Sequence, residues 1–140
     1  MKKMNNKGFS LVELIIVIAI MAILIAVLAP QYIKYVEKSR KSSDLDNYQK
    51  LVDAIQVVFA DEDNTIGDGA YTFKLNAKGS TNVVDSTLDP MLKNLGVDVS
   101  AIHTKSTTYG GKSITATKSA TGVVITCDDD ALAAELGLTT

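Results

Sequence analysis

At 140 residues the chain has room for one small domain beside an apolar segment, and its net charge of −2, with 14 basic residues in no long run, excludes a nucleic-acid stripe. A single cysteine, Cys127, and a single histidine, His103, exclude an intramolecular disulfide and any zinc set built from these residue types. No titratable pair has a catalytic arrangement, so an enzyme is the least expected class and no cofactor or metal is expected.

The amino-terminal MKKMNNKG carries Lys2, Lys3 and Lys7 and no acid, as the basic start of an export signal does. The following stretch from Phe9 to Ala29 is apolar except for Glu13 and Ser10. As a helix it is about 31 Å long, enough to span a hydrocarbon core of about 30 Å. A secretory cut after Ala29 is the rival reading, although Pro30 fits poorly behind such a cut. Counting lysines and arginines does not fix the orientation, because Lys34, Lys38, Arg40 and Lys41 stand close behind the span.

Glu13 is the anomaly of this segment. A carboxylate at the centre of a spanning helix costs about 2.5–3.5 kcal/mol, so it needs a partner or a route to water. One reading is that it snorkels to the interface from one turn inside the apolar stretch. The other is that it meets a cation supplied by another molecule. Ala19, Ala22, Ala26 and Ala29 are spaced three, four and three apart, which forms a stripe of small residues suited to close helix packing. Alanine is also simply a good helix former.

A short basic leader ending in Gly8, then Phe9, then SLVEL with Glu13, an apolar run and Pro30, together resemble the type IV pilins and pseudopilins. The resemblance covers about residues 1–60. It implies that a prepilin peptidase cuts between Gly8 and Phe9 and methylates the Phe9 amine. Glu13 would then pair with the Phe9 amine of a neighbouring copy. It also implies a homo-oligomeric helical filament raised by an assembly ATPase and a platform protein, with the subunit in the cytoplasmic membrane (amino terminus inside) before assembly and on the cell surface afterwards. Adhesion, aggregation and twitching motility are its implied uses. The alternative within the resemblance is a pseudopilin of a type II secretion or competence system. Outside it stands an anchored or secreted binding domain.

Three segments follow: a leader at 1–8, a membrane and filament-core helix at 9–30, and a soluble headgroup at 31–140. Apolar residues continue beyond Pro30 at Leu45, Tyr48, Val52, Ile55 and Phe59, with Asp44, Asp46, Lys50 and Asp53 on the intervening faces. This predicts one helix over 9–60, apolar then amphipathic, kinked or locally unwound at Pro30. The fold class expected is α+β, with that helix packed on a small antiparallel sheet of three or four strands.

In the headgroup, DEDNTIGDG at 61–69 is a turn-rich connection, with only a faint resemblance to a calcium loop. YTFKLN reads as a half-buried strand, and DPMLKNLG as a short helix with Asp89 as cap, Pro90 first and Gly96 beyond its end. KSITATK and GVVITCD read as a hairpin whose Val123, Ile125 and Cys127 face inward, Cys127 as a small buried hydrophobe. DDDALAAELG reads as a terminal helix capped by an aspartate and closed at Gly137. TTYGGK is expected at an exposed loop tip, and His103 as a surface or packing residue. Gram-negative pilins commonly tie this end with a disulfide. With one cysteine, this chain stands nearer the disulfide-free pilins of Gram-positive bacteria.

Overall fold

The computed structural model describes residues 8–139, so the basic leader through Lys7 and the last residue lie outside it. Helix α1 runs unbroken over Leu11–Ala60, starting two residues later than expected. It continues through Pro30, so no local unwinding occurs there. A proline inside a helix removes one backbone bond, and the turns on either side keep theirs. The chain divides into two compact units at Val36/Glu37.

In the first unit every large apolar side chain of α1 from Leu11 to Tyr35 is more than half exposed. In the second unit the helix packs on a three-stranded antiparallel sheet. The strands are β1 (Gly69–Lys74), β2 (Ser113–Ser119) and β3 (Gly122–Cys127), in that spatial order. Register places Phe73 beside Ile114 and Ile114 beside Cys127, and two positions along it aligns Tyr71, Ala116 and Ile125. The period-2 alternation of the strands therefore sends one set of side chains toward α1. Tyr48, Leu51, Val52, Ile55 and Val58 meet them from the helix, all buried. Each fully buried apolar side chain of this size is worth roughly 1.5–3 kcal/mol, so this layer dominates the headgroup's stability.

The short elements close the core. Helix α2 (Asp89–Asn94) begins with Pro90 in its first turn, but Asp89 lies inside that turn and does not cap it. Its carboxylate instead meets Lys93 at 2.8 Å, one turn on. A 3-10 turn at Val99–Ala101 follows, with the Asp98 side chain accepting from the Ser100 amide. Asn82, buried at 9% exposure, accepts from the Asn76 amide at 2.6 Å and donates to the carbonyls of Val99 and Ile102, tying three connections together.

Helix α3 (Asp130–Leu136) is capped as its sequence predicts: Asp129 accepts from the Leu132 amide at 2.9 Å, and Gly137 ends it at φ 68°. Leu132, Ala133 and Leu136 are buried beneath it. The chain then returns to β3, where the Cys127 amide donates to the Thr139 carbonyl at 3.2 Å. Helix burial and this bridge hold the terminal segment without a disulfide.

Candidate processing and assembly site

Gly8, Phe9 and Ser10 precede α1 in irregular backbone. Phe9 is 93% exposed, and a Cβ at Gly8 would meet nothing within 4 Å. Among the described residues, no side chain packs over Gly8 or Phe9. Glu13 lies in the first turn of α1, and its Oε2 accepts a hydrogen bond from the Ser10 amide at 2.9 Å. This is one arm of a capping box: the third helical residue reaches back to satisfy an amide that the helix leaves unpaired. The S-x-x-E spacing of Ser10 and Glu13 carried that signal, and reading the glutamate only as a membrane anomaly missed it. The negative charge also sits at the positive end of the helix dipole.

Ala19, Ala22 and Ala26 are exposed, Ala29 is half-buried and Pro30 is exposed. Within a single chain this stripe is open to any helix that packs on it.

Two further carboxylates of α1, Asp44 and Glu37, do structural work, and the sequence pattern misassigned the first. Asp44, expected on a solvated face, is completely buried. Its Oδ1 and Oδ2 accept from the Lys105 amide at 2.9 and 3.0 Å, and Oδ2 also accepts from the Ser106 amide at 2.6 Å. Two turns earlier, Glu37 Oε1 accepts from the Ser106 hydroxyl at 2.7 Å and from the Thr107 amide at 3.1 Å. The Ser106 hydroxyl, chiefly, with the Thr107 donors and Arg40, holds the Glu37 carboxyl below the ordinary carboxylate value against a smaller opposing effect of burial. A buried charge is tolerable only when its lone pairs are filled, and here loop amides fill them.

The TTYGGK segment is accordingly docked, which corrects the expected exposed tip. Thr107 and Thr108 face solvent, but Tyr109 is 3% exposed. The Tyr48 hydroxyl donates toward the carbonyls of Tyr109 at 2.9 Å and Lys112 at 3.0 Å. Burial, first, and nearby negative groups push that hydroxyl far above its usual range, so it remains a donor. Lys112 meets Asp129 at 2.7 Å, joining the end of this loop to the start of α3.

Ile125 and Cys127 are buried as expected, whereas Val123, nearer the hairpin turn, is 37% exposed. Burial raises the Cys127 thiol above its normal value, which keeps it neutral. His103 is half-buried. Among the described residues no group of three or more His, Cys, Asp or Glu side chains converges as a metal set.

Residues 3–29 match the family described as the prokaryotic N-terminal methylation motif. The chain therefore carries the motif typical of type IV pilin-like precursors, a class whose amino terminus is processed and methylated. No curated protein and no solved structure matches the chain. Among the described residues one helix, α1, is long and apolar enough to cross a membrane, consistent with a membrane-anchored precursor.

Proposed function

We propose that the chain is the structural subunit of a type IV pilus. Residues 1–8 act as the leader, 9–30 as membrane anchor and then filament core, and 31–140 as headgroup. A prepilin peptidase cuts between Gly8 and Phe9 and methylates the new amine. That amine has an ordinary pKa of about 7.7–8 and keeps its charge when methylated. Glu13 of one copy then pairs with the Phe9 amine of the next. The pair removes a carboxylate's cost in hydrocarbon and fixes axial register.

The observation that carries this reading is the uncovered apolar half of α1, with each large apolar side chain from Leu11 to Tyr35 more than half exposed. An all-round apolar helix must be enclosed by lipid or by other helices. Ala19, Ala22, Ala26 and Ala29 offer close approach to copies of the same helix, and Pro30 is where it can bend. Contacts through two different surfaces, repeated without closure, build a helical filament. The energy for extraction from the membrane comes from an assembly ATPase acting through a platform protein.

Electron microscopy of cells with and without the chain tests this. Surface filaments that disappear with the chain are expected. A strain that loses protein export or DNA uptake, with no filament in either state, would overturn the pilus in favour of a pseudopilin.

A further inference from the structure

The stretch immediately beyond Pro30 differs in charge from everything after it. Residues 31–41 hold four cations and one acid, whereas residues 42–140 hold seven cations and fourteen acids. Between Glu13 and Lys34 stand twenty uncharged residues, Leu14 to Ile33. Lys34 is thus the first charge on the far side of the apolar run, one turn beyond Pro30, where the anchor of residues 9–30 ends.

Other features of α1 fit that boundary. Tyr32 and Tyr35 flank Lys34 and are 69% and 73% exposed. Tyrosines of this kind favour the headgroup level, where the ring lies against acyl chains and the hydroxyl meets water. Lys34 and Lys38 are one turn apart, and both are exposed. Arg40 lies 4.0 Å from Glu37, and the Lys41 ammonium stands 5.8 Å from the centre of the Tyr109 ring. Among the described residues Lys34 and Lys38 have no ion-pair partner. Cations just beyond a span also oppose export of that side, which makes their accumulation here a cost that some other contact must offset.

We infer that Lys34 and Lys38, with Tyr32 and Tyr35, form a collar on α1 that binds the phosphates of anionic phospholipids at the far face of the membrane. The inference rests on the membrane-spanning part of the proposed function. The collar recognises a lipid phosphate by charge and sets the depth of the helix by its tyrosines. It holds the subunit level in the bilayer until assembly withdraws it.

The chain contains no tryptophan, so Tyr35→Trp supplies a unique fluorophore at the collar. The full chain carrying this change is reconstituted in mixed vesicles of phosphatidylcholine and phosphatidylglycerol, with bromine quenchers on one lipid or the other. Brominated phosphatidylglycerol is expected to quench about threefold or more better than brominated phosphatidylcholine, with the preference falling as salt is raised. Adding Lys34→Gln and Lys38→Gln should bring the ratio to about one while quenching by phosphatidylcholine persists. Equal quenching by both lipids in the parent, or a preference that survives both lysine changes, would overturn the collar and leave the membrane span standing. No quenching by either lipid would overturn both.

Discussion

The two halves of α1 share one secondary structure and have opposite surroundings. From Leu14 to Ile33 the helix is uncharged and its large apolar side chains are exposed; from Asp44 to Val58 it buries one stripe against the sheet. The second half is satisfied by its own chain. The first carries a larger apolar surface with nothing of its own to cover it, and the proposed function assigns that cover to lipid and then to copies. Changes in the two halves should therefore separate cleanly, one set altering assembly and the other the headgroup.

The largest expected effect is at Glu13. Glu13→Gln keeps an acceptor for the Ser10 amide, since glutamine also completes a capping box, but removes the charge. Filaments should be lost while the headgroup's urea midpoint stays unchanged. Filaments of normal number would mean that the helix cap, and not the amine pair, is what this residue supplies.

Asp44→Ala should do the reverse. It strips the acceptors from the buried amides of Lys105 and Ser106 and leaves a void, a loss of about 3–5 kcal/mol in unfolding free energy by urea titration. A loss of no more than a few tenths would mean that the loop is held by other contacts. Ala22→Leu belongs with the first half: filament yield should fall while membrane insertion and headgroup stability are retained, and normal pili would remove the small-residue stripe from the account. Tyr48→Phe leaves the ring buried and deletes only the donor to the Tyr109 and Lys112 carbonyls, which should cost about 1–2 kcal/mol.

The smallest effect is at Glu37 and concerns pH. Its carboxyl is held low in the folded chain, so its contribution is present above the ordinary carboxylate value of about 4.3. It is lost as pH falls through the lowered folded value. Unfolding measured between pH 7 and pH 3 should show a shallower acid loss in Glu37→Gln than in the parent, and parallel curves would contradict the contact.

Much of the fold was legible because local rules decided it. The all-round apolar run, the alternating hairpin with its two-residue turn, and the Asp129 and Gly137 caps each act within a few residues. The carboxylate latch acts across 61 or more residues, from Asp44 to Lys105 and from Glu37 to Ser106, and no local rule reaches that far. A trace of it was present all the same. Glu37, Asp44, Tyr48, Leu51 and Ile55 recur at seven, four, three and four residues, so both acids extend the buried stripe toward the amino terminus. Placing Asp44 on the solvated faces with Asp46 and Asp53 hid it, and Glu37 was given no place in the pattern. At Glu13 the membrane argument left a second signal unread, the four-residue capping pattern from Ser10 to Glu13.

In the proposed function the uncovered half of α1 is released by a cut at Gly8–Phe9 and enclosed by other copies. Intact mass and amino-terminal sequencing of protein sheared from the cell surface test it most directly. A chain that starts at N-methylated Phe9 and retains the whole apolar helix is expected. A chain starting at Pro30 would contradict it, because the headgroup would then be a free secreted domain with neither Glu13 nor the alanine stripe.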